Sequence, residues 1–216
     1  MPRRIKYFIG QKQTHPLKDT KDIERLMFYL LRKRELAKTE VKRYQADRNW
    51  MLCLVGFNTA FRAEDLLQLR VADVIKGYVS IKENKTGKMQ NFRMSKELHN
   101  DIKQYVERNN LTVYDYMFMG QKKIQDGKPY YYPITRQQGH HIVSSAGEAV
   151  GITTVFGMHS LRKTFGYQYI NNGGSWQTLT KMYNHDDIIV TQAYVMWDIN
   201  DAESERAGVY LGGVHK

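Results

Sequence analysis

Apolar residues recur at helical spacing in one segment after another of this chain and alternate clearly in only one region, which limits the fold to helices around a small sheet. From Asp19 or Thr20 onward, Ile23, Leu26, Met27, Leu30 and Leu31 share one face with charged residues between them, the pattern of an amphipathic helix. The charged stretch 38–48 reads as a solvated helix face or loop leading into a buried helix over 50–57, which Thr59-Ala60-Phe61 breaks. Arg62 opens the next helix, 63–69, where Glu64 and Asp65 suit the positive end of the helix dipole. Tyr78-Val79-Ser80-Ile81 alternates, Lys85-Thr86-Gly87-Lys88 makes a turn, and 89–94 returns as a partner strand. Ser95 caps a helix reaching about Arg108, with Leu98, Ile102, Tyr105 and Val106 as its buried side. Residues 120–133 hold Gly127, Pro129 and Pro133 among Lys122, Lys123 and Lys128, so a basic loop or short hairpin is expected there. Helices follow over 135–150, 159–171 and 175–183, stopped by Gly151 and by Gly173-Gly174, and a further short helix carries Tyr194. The fold class is mainly α with a small antiparallel β-sheet, an α+β domain.

At 216 residues the chain suits one domain, expected over 19–199. Residues 1–18 form a basic arm or linker stub that includes Arg3 and Arg4, and the tail 200–216 is half-apolar. Thirty-three Lys and Arg against 22 Asp and Glu leave a net charge of +11, a field that attracts polyanions, with nucleic acid first among them. The single cysteine, Cys53, rules out an internal disulfide and sits in an apolar run as a small core residue. A free thiol and a start without an apolar leader point to the cytoplasm. No segment is long and apolar enough to span a bilayer, so no membrane partner is expected. There is no His-Glu-any-any-His box and no cysteine pair, and Gly173-Gly174 lacks the Lys-Ser/Thr of a nucleotide loop. Neither metal nor nucleotide nor other cofactor is implied.

The last third of the chain carries His159-Ser160-Leu161-Arg162, then His185, then Tyr194. An arginine three places after a histidine lies on the same helical face, so both can approach one anion. A phenol is a legitimate nucleophile when neighbours take its proton or stabilise the charge that develops. Each residue also has a plainer reading. An isolated arginine or lysine in so basic a chain is a surface charge or phosphate clamp, and a lone histidine is a hydrogen-bonding residue. Tyr194 is one of 15 tyrosines, and Tyr183 and Tyr210 rival it on chemistry alone.

The ordered set outweighs those readings. Thr59-Ala60-Phe61-Arg62-Ala63-Glu64-Asp65-Leu66, Lys85-Thr86-Gly87-Lys88, the His159-to-Arg162 box, and Asn184-His185-Asp186 with Thr191-Gln192-Ala193-Tyr194 together resemble the catalytic domain of the tyrosine recombinases, the phage integrase family. The resemblance spans roughly 17–196. It implies the DNA breaking-rejoining enzyme fold and a site-specific recombinase in which Tyr194 attacks DNA to give a 3′-phosphotyrosine without ATP or metal. Arg62 and Arg162 would bind the nonbridging oxygens, and Lys85 would protonate the leaving 5′ oxygen, with Lys88 as its rival. His159 would either accept the phenolic proton or bond the phosphate, and His185 would donate to a phosphate oxygen. Lys163 stands where many members carry a histidine and is expected, with Lys88, Arg3 and Arg4, to contact DNA.

The implied partner is double-stranded DNA, gripped by a tetramer whose tails after Asn200 pack on neighbouring subunits. Family members place a DNA-clamping domain ahead of the catalytic one, whereas here only 1–18 precede it. The chain is therefore expected to be either a fragment of a longer integrase or a compact recombinase like the fimbrial-phase invertases. Two other functions fit the same fold: a DNA-binding accessory protein without strand exchange, and relaxation of the type IB topoisomerase kind.

Overall fold

The computed structural model describes residues 13–125, 128–197, 201 and 206. Arg3, Arg4 and nearly all of the tail 200–216 lie outside the described residues.

Helix α1 (Thr20–Glu35) starts where the Asp19 carboxylate accepts the Lys21 N–H, and it buries Leu26 and Leu30 against α2 (Glu40–Thr59). Of the two readings of the charged stretch, helix α2 takes the solvated helix face: residues 40–48 are exposed or half-buried except Asp47 and run without a break into the apolar part. Asp47 is buried and accepts from Arg34 Nη1 at 3.0 Å, Arg108 Nη2 at 3.1 Å and Asn109 Nδ2 at 2.7 Å. Burial alone would raise the Asp47 pKa. These hydrogen bonds more than offset it and hold the carboxyl below its usual range, so a charged position becomes a packed one.

Helix α3 (Ala63–Gln68) is followed by a single turn, α4 (Val71–Val74), that the sequence did not announce. Strands β1 (Tyr78–Lys82) and β2 (Met89–Arg93) pair antiparallel, Tyr78 opposite Arg93 and Lys82 opposite Met89, with Glu83 to Lys88 as the turn. Helix α5 (Lys96–Arg108) has its Ser95 cap. The stretch around 120–133 is a hairpin of β3 (Met119–Gln125) and β4 (Lys128–Pro133). Then come α6 (Arg136–Ala149), α7 (Met158–Asn171), α8 (Trp176–Met182) and α9 (Ile188–Val195). The mainly α, small-sheet class is the observed one.

Two apolar clusters organise these elements. The larger is built from α1, α2, α5 and the residues around them, including Leu26, Met51, Leu52, Ile102 and Phe118. The smaller holds Ala60, Ile170, Leu179, Tyr183 and Val195, so α8 and α9 close over the outer part of α7. Helix α7 serves both. At Gly56 a Cβ would come within 2.6 Å of Leu161 Cδ1, so only glycine lets α2 approach α7 this closely. Residues 13–18 run along α7, with the Leu17 N–H donating to Thr164 Oγ1 at 2.8 Å. Among the described residues no helix is long and apolar enough to cross a membrane.

Candidate active site

Helix α2 ends on Ala60 in the left-handed conformation (φ 58°), and this turn delivers Arg62 as the N-cap of α3. The Arg62 guanidinium donates from Nη2 to the Tyr183 carbonyl at 3.1 Å, and its Nη1 forms an ion pair with Glu83 Oε1. That pair is an ionic contact without hydrogen-bond alignment at Nη1. Arg162, 2% exposed on α7, donates from Nη1 to the Ala60 carbonyl and from Nη2 to the same Tyr183 carbonyl at 3.0 Å. Its guanidinium stacks 4.2 Å from the Tyr183 ring centroid and 6.0 Å from that of Tyr194. Two guanidinium ions thus meet, with the Glu83 carboxylate against Arg62 and the Asp65 carboxyl near enough for both arginines to act on it. Guanidinium charge concentrated in this way favours an anion, and low local dielectric strengthens that preference.

Glu83 was missed by sequence reasoning. It is 1% exposed at the start of the β1–β2 turn and accepts from Thr86 Oγ1 at 2.5 Å and from Gln90 Nε2 at 2.9 Å. Burial pushes its pKa up, yet those hydrogen bonds and the Arg62 charge outweigh burial and keep it low. Asp65 was read only as a dipole partner. It is 4% exposed and accepts the Asn84 N–H at 2.9 Å, fastening the turn to α3, while burial raises its pKa. The sole signal for Glu83 is an acidic residue between Lys82 and Lys85, and a solvated charge would look the same.

The turn distinguishes its two lysines. Lys88 Nζ donates to the Asn184 carbonyl at 3.4 Å and lies 3.5 Å from Asp186 Oδ1, tying the hairpin to the α8–α9 loop. Lys85 is exposed and close enough for its charge to act on His159. His159 stands in the first turn of α7, open to solvent on one side. Desolvation on the other side, and then the charges of Arg136, Lys163, Arg162 and Lys85, lower its pKa.

His185 is held more tightly. Its Nδ1 lies 3.0 Å from Thr191 Oγ1, a hydroxyl that donates to the Asp187 carbonyl and accepts from Thr180 Oγ1. This network assigns the proton of the neutral ring to Nδ1 and leaves a lone pair on Nε2. Burial, reinforced by Arg162 and Arg62, pushes the His185 pKa down to about 4. The ring meets Tyr194 edge-on at 5.5 Å between centroids.

Tyr194 projects from α9 beside Arg162 and His185. Burial raises its pKa, opposed by the charges of Arg162 and Arg62 and by a hydrogen bond from Arg162, so at neutral pH the phenol keeps its proton. The rival Tyr183 is fully buried and spends its hydroxyl on the Arg162 carbonyl, and burial raises its pKa strongly. Tyr210 lies outside the described residues. Arg62, Arg162, His185 and Tyr194 are therefore brought together, with Lys85 and His159 at their edge. Lys163 departs from the expected DNA contact: it is 3% exposed, and its ammonium turns inward to the Thr14 carbonyl at 2.7 Å.

Comparison with known proteins gives the family and the fold. A sequence profile of the phage integrase family matches residues 19–200. The chain is 30% identical over 179 residues to the probable integrase/recombinase YoeC of Bacillus subtilis (strain 168), covering 81% of this chain and 92% of that one. Its fold is similar to the crystal structure of XerA recombinase, with a TM-score of 0.67, 16% identity, and coverage of 93% of this chain and 65% of that one. It is also similar to XerH site-specific recombinase bound to its palindromic difH substrate, with a TM-score of 0.65, 19% identity, and coverage of 92% and 53%. The chain belongs to the phage integrase family, the tyrosine-type site-specific recombinases.

Proposed function

We propose that the chain cleaves and rejoins double-stranded DNA at a specific site, with Tyr194 as nucleophile. The observation that carries this reading is the convergence of Arg62 and Arg162 on one carbonyl oxygen beside Tyr194, a cationic fork wanting an anion next to a phenol. The Tyr194 oxygen attacks phosphorus, the bond to the 5′ oxygen breaks, and the 3′-phosphotyrosine keeps the bond energy for the reverse attack by a 5′ hydroxyl. Arg62 and Arg162 bind the nonbridging oxygens, whose negative charge grows in the transition state. His159, neutral at pH 7, accepts the phenolic proton, and Lys85 gives a proton to the leaving 5′ oxygen. His185, neutral with its proton on Nδ1, presents a lone pair at Nε2. The phosphate's charge raises its pKa, so it binds a proton there and then donates to the phosphate.

Exchange between two duplexes breaks four strands with one tyrosine each, which supports a tetramer on DNA, and the free buried thiol of Cys53 supports a reducing compartment, the cytoplasm. The test is incubation with nicked duplexes drawn from the sequences flanking its gene, followed by denaturing gel analysis. A covalent adduct that disappears in Tyr194→Phe is expected. No adduct from the wild type, or one that survives this substitution, overturns the reading.

A further inference from the structure

Lys163 is unusual in its own right. An ammonium 3% exposed normally faces a carboxylate, because an unpaired buried charge is costly. Here, among the described residues, its contacts are the Thr14 carbonyl at 2.7 Å and the face of the Tyr194 ring, 5.3 Å from Nζ to centroid. The Thr14 carbonyl belongs to a segment fastened along α7 at further points. The Leu17 N–H donates to Thr164, and Gln168 Nε2 donates to the carbonyls of Leu17 at 3.0 Å and Lys18 at 2.8 Å.

We propose that Lys163 is a positioning residue for the nucleophile: anchored by the Thr14 carbonyl, its ammonium holds one face of the Tyr194 ring and couples the segment at 13–18 to the attacking phenol. The inference rests on Tyr194 being the nucleophile. Attraction between an ammonium and an aromatic face grows as the ring gains negative charge. The ring gains that charge as its phenolic proton passes to the base ahead of O–P bond formation, so the contact is stronger in a transition state with the proton largely gone than in the neutral phenol. Charged or titratable groups near it are Arg162 and His159 on its own helix, the latter feeling the Lys163 charge, Tyr194 on α9, His15 next to the Thr14 anchor, and His140 of α6, which approaches Gly157 on the same side as Thr14. Burial lowers the Lys163 pKa to about 8, so the cation is full at pH 7 and lost above that value.

The test measures single-turnover adduct formation by the full chain on the nicked duplex, with affinity measured separately in the Tyr194→Phe background. Lys163→Met is expected to slow adduct formation about tenfold at pH 7 while leaving the dissociation constant within about twofold. The wild-type advantage is expected to shrink toward one between about pH 7 and 9.5 as Lys163 loses its proton. Lys163→Arg, charged throughout, is expected to lack that alkaline decline. A Lys163→Met protein that reacts at the wild-type rate, or one slowed equally at every pH, overturns the proposal. Should Lys163→Met not fold, parallel pH profiles for wild type and Lys163→Arg overturn it instead. If the wild type forms no adduct at Tyr194, the parent reading falls first. If that adduct forms normally and Lys163→Met matches it, only the positioning role falls.

Discussion

Arg62 and Arg162 donate to one and the same acceptor, the Tyr183 carbonyl oxygen, from 3.1 Å and 3.0 Å. Like charges so close repel, and the buried carboxylate of Glu83 against Arg62, with Asp65 close by, offsets that repulsion. Removing a buried partner leaves an uncompensated charge, whereas an exposed pair would contribute little. Glu83→Gln should therefore cost roughly 3 kcal/mol of stability at pH 7, measured by urea unfolding. A loss below a few tenths would mean that the pair carries no weight in the fold.

His185 links the site to pH. Its pKa falls from the ordinary 6.5 of a solvated imidazole to about 4 in the folded protein, so the unfolded chain binds the proton more readily. The stabilisation is full above about pH 6.5 and lost as pH falls toward 4, up to roughly 3 kcal/mol. Urea unfolding at pH 7 and at 4.5 should reveal this loss, and His185→Gln should reduce it. Equal acid sensitivity in both proteins would assign the effect to other groups.

The candidate set was legible because its members follow a fixed order in the chain, and the helices were legible because their caps and apolar stripes are local. What stayed hidden was the burial of charge. Asp47, Asp65, Glu83 and Lys163 each stand beside another charged residue in the sequence, where solvation is the ordinary state and only tertiary contacts reverse it. Each is buried by a partner remote in the chain: Arg108 for Asp47, Asn84 for Asp65, Arg62 for Glu83 and Thr14 for Lys163. Periodicity cannot see such pairs. The same blindness left Asp47 on a solvated face and sent Lys163 to the DNA surface.

The placement of Tyr194 depends on a close approach at Gly166. A Cβ there would collide with the Tyr183 hydroxyl and come within 2.6 Å of Val195 Cγ1, the residue next to Tyr194. Gly166→Ala should cost about 1–3 kcal/mol by overpacking and displace α9 from α7. Its melting temperature should fall, and adduct formation should fall further than the folded fraction does. Activity in proportion to folded protein would mean that α9 can shift without consequence.

Lys85 and Lys88 share one turn, and only Lys88 is tied to the α8–α9 loop, through Asn184 and Asp186. If Lys85 protonates the leaving 5′ oxygen, its removal should matter only while the leaving group needs a proton. Lys85→Ala is expected to slow adduct formation at least about a hundredfold on an ordinary duplex, the usual scale of general acid catalysis. On a duplex with sulfur in place of that bridging oxygen, the rate should approach the wild-type rate, since a thiolate leaves unprotonated. Lys88→Ala should lose far less on the ordinary duplex and gain little from the sulfur. Rescue of Lys88→Ala but not of Lys85→Ala would exchange their roles, because the sulfur compensates only for the residue that delivers the proton.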